Sequence, residues 1–177
     1  SETSELSLDR ADIPMAVANL LAVGEPAPEF SYCRADGEVR STDSLQGRPF
    51  LVYFYPKDNT PGCVREACGF RDMWVAFEEI GMEVIGVSVD SDASHAKFRE
   101  RFRLPFGLAA DTDHRIAKAF GVWNDDNLRD KLLPFVRRVS FLIGPDQRVA
   151  KVYPKVDPAA HADEVIDDYE QQITNDA

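Results

Sequence analysis

Cysteine is scarce in this chain and badly spaced for its commonest jobs. Cys33, Cys63 and Cys68 are the three in 177 residues, which does not make the disulfide framework of a small secreted fold. The Cys-x-x-Cys spacing of dithiol oxidoreductases is missing. Neither Cys63 nor Cys68 has a histidine at a metal-finger distance, so a zinc site is not indicated. Positive charge is outnumbered: the net charge is −11 and the sequence pI about 4.7, which argues against nucleic acid or an anionic membrane as partner and fits a solvated acidic surface. Residues Ser1 to Ala22 have no positively charged stretch followed by a long apolar core, so the expectation is a cytoplasmic protein with neither secretion signal nor membrane anchor. An apolar fraction of 44% is enough for one core in one domain without disulfides.

The chemistry is concentrated in Leu51 to Asp72. An unbroken apolar run, Phe50 to Tyr55, predicts a strand buried on both faces, and Pro56 ends it. After the polar turn Lys57, Asp58, Asn59 come Thr60 and Pro61, which fit an N-cap and a first helical residue, where proline has no needed N–H to lose. Cys63 then falls in the first helical turn. Unpaired N–H groups and the positive end of the helix dipole favour a negative charge there, so the thiol is expected to ionise more readily than a free one, which is only about 3% thiolate at pH 7. Cys68 lies on the same predicted helix. Ideal geometry puts the two Cα atoms roughly 8 to 9 Å apart on different faces, beyond the limit of about 7 Å for a disulfide. The pair can therefore join only if the first turns of the helix unwind.

The pattern Pro56, Thr60, Cys63 (PxxxTxxC) resembles the active-site signature of peroxiredoxins. With Cys68 in PGCVREAC, it is similar to the bacterioferritin comigratory protein or PrxQ subfamily. The likeness runs from about Val23 to the C-terminus through GEPAPEF, EVIGVSVD, FGVW, RVSFLIG and YPKVDPAAHADEV. It implies a peroxidatic Cys63 that reduces hydrogen peroxide and alkyl hydroperoxides, a resolving Cys68, and recycling of the resulting disulfide by thioredoxin or glutaredoxin, with no metal, haem or flavin. It also implies a monomer or weak homodimer. Val64 departs from the threonine common after the peroxidatic cysteine in relatives, which bears on rate more than on role.

Three further residues enter the expected site. Arg137 and Arg138 are read as strand neighbours with side chains on opposite faces, so at most one looks at Cys63. The family's arginine maps onto Arg138, whose planar donor would hold the thiolate and the charge developing on the peroxide. Thr60 has two readings, accepting from the Cys63 N–H as a cap or orienting the peroxide. Glu66 is expected to position Arg138 by an ion pair or to be an exposed helical glutamate. His95, His114 and His161 are scattered singly and read as structural or solvated.

Around this centre the chain reads as α/β. A hairpin over Phe30 to Val39 turns at Asp36 and Gly37 and carries Cys33 as a half-buried strand thiol. Ser41 to Gly47 forms a short helical turn. The helix of Cys63 continues through Ala67, Phe70, Trp74, Phe77 and Ile80 to Gly81. Then follow a buried strand Glu83–Ser88, a helix Asp90–Arg101, a short strand Leu108–Ala110, and a helix capped by Asp113 and closed by Gly121. Val122 to Pro134 is expected to be a loop. A hairpin of Val136–Ile143 and Arg148–Tyr153 and a helix from Ala160 to Gln172 finish the chain. Together with the family likeness, these elements imply a thioredoxin-like fold, a central mixed β-sheet flanked by helices with an added N-terminal hairpin. It would occupy residues 24–177 behind an extension, 1–23, in which Ile13 to Val23 forms a short amphipathic helix. Two rival functions share the fold: a disulfide reductase, which would not consume peroxide, and a redox sensor, which would oxidise once without turning over.

Overall fold

A computed structural model describes residues 20–124 and 135–176. In chain order the elements are β1 (Ser31–Cys33), β2 (Val39–Ser41), a 3-10 turn (Thr42–Leu45), β3 (Phe50–Phe54), α1 (Pro61–Asp72), α2 (Trp74–Glu79), β4 (Glu83–Ser88), α3 (Asp92–Phe102), β5 (Gly107–Ala110), α4 (Arg115–Phe120), β6 (Trp123–Asn124), β7 (Phe135–Val136), β8 (Val139–Ile143), β9 (Val149–Tyr153) and α5 (His161–Asp176). Seven strands form one sheet in the order β2-β1-β5-β4-β3-β8-β9. The strands β3, β4 and β5 pair in parallel, and antiparallel partners complete both sides. This is the mixed sheet of an α/β thioredoxin-like fold, with the expected N-terminal hairpin β1-β2 at one edge.

The apolar run of β3 is buried throughout because the strand is central and covered on both faces. Its side chains alternate between two cores. Phe50, Val52 and Phe54 join Ile85, Val87, Phe120 and Phe141 on one face, where α4 packs. Leu51, Tyr53 and Tyr55 join Cys63, Ala67, Phe70, Phe77, Phe98 and Val165 on the other, covered by α1, α2, α3 and α5. Each such side chain contributes about 1.5 to 3 kcal/mol of burial. Tyr53 lies opposite Gly86 in the β3–β4 register, and its ring folds down onto that bare Cα. A Cβ at Gly86 would sit 2.8 Å from the ring. No helix among the described residues is long and apolar enough to cross a membrane.

Several sequence expectations are corrected. The helix after Cys63 is two helices, because Met73 leaves helical geometry at φ −98°, ψ 10°. The helix after β5 is held by Asp111, not by Asp113: the Asp111 carboxylate accepts from the Ile116 and Ala117 N–H groups, while Asp113 reaches only the Arg115 N–H. His114, in the left-handed region, takes the N-cap position. The expected loop from Val122 begins instead as a ribbon, β6 pairing antiparallel with β7. The expected strand Val136–Ile143 is interrupted at Arg137 and Arg138, which lie between β7 and β8. Of the amphipathic helix placed at Ile13–Val23, residues 13–19 lie outside the described residues. The remaining four are not helical; the Leu21 N–H donates to Phe120 O, and Leu20 is buried in the α4 core.

The turn between β3 and α1 is fastened to the rest of the molecule by Asp58. Its carboxylate is buried and accepts from the Tyr55 hydroxyl at 2.7 Å and the Ser94 hydroxyl at 2.8 Å. His95 Nδ1 lies 2.8 Å from the same carboxylate, and His95 Nε2 lies 3.0 Å from Ala109 O. The Asp58 N–H donates to Asp90, which also accepts from Ser88 Oγ. Burial alone would push the Asp58 carboxyl up, but the His95, Tyr55 and Ser94 contacts outweigh it and hold the group below its ordinary value. This latch ties the turn to α3 and to the ends of β4 and β5. Asn59 completes the turn in the left-handed region, φ 65°, which asparagine tolerates.

Two stability predictions follow from this packing. Gly86→Ala is expected to cost about 1 to 3 kcal/mol by overpacking against Tyr53, read as a lower urea midpoint with the same m-value. Asp58→Ala is expected to cost about 3 kcal/mol near neutral pH by stripping a buried network of its acceptor. Because the folded group titrates below its ordinary 3.8, that stabilisation is complete above this pH and fades as the pH falls through the depressed folded value. Thermal melts across that window are therefore expected to converge for the wild type and the variant at the acid end.

Candidate active site

Strand β3 ends at Phe54, and half-buried Pro56 turns the chain away from the sheet. The latched turn then delivers Thr60 as N-cap and Pro61 as first residue of α1. Thr60 does not cap with its side chain. Its hydroxyl donates to Lys57 O at 2.9 Å, so the reading of Thr60 as a side-chain acceptor for the Cys63 N–H is corrected. The hydroxyl oxygen keeps its lone pairs for another donor, and among the described residues no side chain is seen to cap the first turn.

Cys63 sits in that first turn, buried to 1% exposure and packed in the second core. Arg138 reaches it from the break between β7 and β8, with Nη2 at 3.4 Å from Cys63 Sγ. The same guanidinium donates through Nη1 to Glu66 Oε1 at 2.6 Å. Because the strand is broken here, Arg138 is not placed by the simple alternation of a β-strand; the break lets its side chain lie along α1. Gly62 makes room for it, since a Cβ there would be 3.0 Å from Arg138 Nη2. Sequence reasoning missed Gly62, for which only the bare PGC step was a signal, and it missed the Asp58 latch, whose members lie far apart in the chain.

Glu66 is buried, not an exposed helical glutamate. Burial pushes its carboxyl up to about 7, against the pull of Arg138. Burial would lower the Arg138 value, but Glu66 and Cys63 hold its proton and move it upward. Tyr53 lies in the same pocket. Burial keeps its hydroxyl neutral, with Glu66 and Cys63 adding to the effect. Among the described residues neither Tyr53 OH nor Glu66 Oε2 has a hydrogen-bond partner.

Cys68 is half-buried further along the unbroken helix α1, and Cys63, Cys68 and Cys33 are all free thiols. Cys33 is in the β1 arm, facing Leu108 of β5, where its Sγ donates to Arg34 O. His95 and His161 are buried and hydrogen-bonded, His161 to Ser140 Oγ and Glu164, and His114 stacks on Trp123 at 3.8 Å. Asp58, Asp90 and His95 bring three potential metal-ligand atoms within 4.8 Å of one another, yet these groups are already engaged in the latch. The geometry therefore joins Cys63, Glu66 and Arg138 by direct contacts, with Thr60 as the N-cap of the same helix and Pro56 and Asp58 in the turn that leads to it.

Comparison with known proteins identifies the family of the chain. The family model described as "AhpC/TSA family" matches residues 23–152. The chain is 40% identical to a putative peroxiredoxin bcp of Coxiella burnetii over 146 residues, 82% of this chain and 97% of that protein. It is 38% identical to peroxiredoxin Bcp of Escherichia coli K12, over 84% of this chain and 95% of the relative. Among solved structures, a cysteine-to-serine mutant of Xylella fastidiosa PrxQ superposes with a TM-score of 0.79 at 29% identity, over 86% of this chain and 98% of that one. The bacterioferritin comigratory protein of Xanthomonas campestris, solved as trapped intermediate and ligand complexes bearing on its alkyl peroxide reduction activity, superposes with a TM-score of 0.75 at 31% identity, over 81% and 91%. A cysteine at a helix mouth under a shared guanidinium, on this fold and with these relatives, places the chain in the AhpC/TSA family as a Bcp/PrxQ peroxiredoxin, a peroxidase.

Proposed function

We propose that the chain reduces hydrogen peroxide and alkyl hydroperoxides through Cys63, with Cys68 as resolving cysteine and thioredoxin or a glutaredoxin as reductant. The contact of Arg138 with Cys63 Sγ carries the reading: a permanently charged planar donor rests on the sulfur of a cysteine in the first turn of a helix. The alkyl peroxide chemistry of the Xanthomonas relative supports the substrate class.

In the first step the Cys63 thiolate attacks one peroxide oxygen. The S–O bond forms as the O–O bond breaks, giving a sulfenic acid and releasing water or an alcohol. Arg138 stabilises the charge as it moves from sulfur to oxygen. The Thr60 hydroxyl, which donates to Lys57 O, presents its lone pairs to the peroxide O–H and so orients it.

The second step needs movement. Both sulfurs lie on intact α1, too far apart on ideal geometry to bond. The helix is weakly held at its start: Gly62 is a poor helix former, Thr60 gives no side-chain cap, and Phe70, fully buried among Tyr53, Phe77 and Phe106, anchors it only beyond Cys68. What resists unwinding of the first turns is the Arg138–Glu66 pair and the burial of Cys63 and Ala67. Oxidation to a neutral sulfenic acid ends the charge pairing between the sulfur and Arg138, so Cys63 itself is released for movement. Condensation with the Cys68 thiol then releases water and forms the disulfide. A dithiol reductant returns both thiols by exchange.

Cys63→Ser is expected to abolish peroxide consumption, and turnover in that variant would refute the reading. Cys68→Ser is expected to form one equivalent of sulfenic acid on Cys63, detectable by a sulfenic-acid trap and mass spectrometry, and to lose thioredoxin-coupled cycling. Sustained cycling in the second variant would transfer the resolving role to Cys33 or to a small external thiol.

A further inference from the structure

Charge does not balance at the site if every acid is ionised. Arg138 supplies one positive charge and bonds two groups able to carry a negative one, Cys63 at 3.4 Å and Glu66 at 2.6 Å. Both are buried to 1% exposure, where an uncompensated charge is costly. Among the described residues the other titratable neighbours do not alter the count. Tyr53, from β3, stays neutral; His161 of α5 is turned to Ser140 and Glu164, and Tyr153 of β9 to Asp168. Glu66 Oε1 is held by Arg138, whereas Oε2 is fully buried with no partner among the described residues, as suits the oxygen of a carboxyl that carries a hydrogen.

We propose that Cys63 and Glu66 share a single proton across Arg138, Glu66 holding it while the sulfur is a thiolate and giving it up when the sulfur is oxidised. The inference rests on the peroxidase reading of Cys63 and gives Glu66 a second duty beside positioning Arg138. Burial pushes the carboxyl up to about 7, so Glu66 is able both to hold a proton and to release one near neutral pH.

The step balances. The sulfur electron pair forms the S–O bond, and the O–O pair leaves on the departing oxygen, so the sulfur is oxidised by two electrons and the peroxide reduced by two. The hydrogen of the attacked oxygen remains in the sulfenic acid. The Glu66 proton ends on the departing oxygen as water or alcohol, leaving a carboxylate paired with Arg138. The charge of the trio is the same before and after.

The test is infrared difference spectroscopy on the full chain carrying Cys68→Ser, reduced against peroxide-oxidised, near neutral pH, with 13C-carboxyl-labelled glutamate to assign the bands. The expected result is loss of one protonated glutamic-acid carbonyl band and gain of one carboxylate band on sulfenic acid formation. Both changes are expected to vanish when Glu66→Gln is added. In the same variant the acid limb of the single-turnover pH–rate profile is expected to move down by about one pH unit, because Arg138 then serves the sulfur alone. Sulfenic acid forming on Cys63 with no glutamate band change overturns the proton-sharing proposal and leaves the peroxidase reading intact. Failure of any sulfenic acid to form overturns both. If the glutamine variant does not fold, the labelled difference spectrum decides alone.

Discussion

One cation between two buried acids is the constraint on which the site depends. Among the described residues the guanidinium of Arg138 alone bonds both Cys63 and Glu66, and it does so from a half-buried position on a strand break. A lysine would give one point charge with rotating donors. The planar fork of arginine instead fixes two acceptors in one plane and stays charged even when partly desolvated. Breaking such a pair from one side leaves the other charge buried and unmatched, typically a loss of about 3 to 5 kcal/mol. One guanidinium can match only one full negative charge, so the protonation of either acid bears on the other.

Stability around that trio is unevenly distributed, and the distribution matches the chemistry. Upstream, the Asp58 latch pins the turn to α3 and to the sheet through several short hydrogen bonds. Downstream, Phe70 is locked in an aromatic cluster with Tyr53, Phe77 and Phe106. Between them lie the first two turns of α1, with Gly62, Pro61 at the first helical position and no side-chain hydrogen bond from the N-cap residue. A helix start flanked by two anchored segments can open and reclose with little disturbance to either, as the proposed disulfide step requires.

Much of this was legible in the chain. The double-faced strand Phe50 to Phe54, the stop at Pro56, the helix beginning at Pro61 and the placing of Cys63 in its first turn all follow from apolar continuity and proline's missing donor. The hairpin at Asp36 and Gly37 and the strand pair at the far edge followed from turn chemistry. The elements misread were those set by contacts distant in sequence. The kink at Met73 interrupts an apolar stripe that continues across it, so periodicity could not reveal the break. Asp111 outcompetes Asp113 for the α4 N–H groups because the end of β5 aims it there, and only the fold fixes that aim. Arg137 and Arg138 read as strand residues because their neighbours are β-formers on both sides.

Sequence by itself determined the strand that carries the site, the helix that opens on Cys63, and the residue types that resemble a peroxiredoxin, because each depends on neighbours within a few positions along the backbone. Tertiary structure alone decided that Arg138 lies across Gly62 onto Cys63, that Glu66 is buried with one oxygen unpartnered, and that Asp58 meets Ser94 and His95. Those facts join segments some 36 to 75 positions apart. Burial and charge pairing at such separations arise only when the sheet brings the segments together, and no local pattern encodes them.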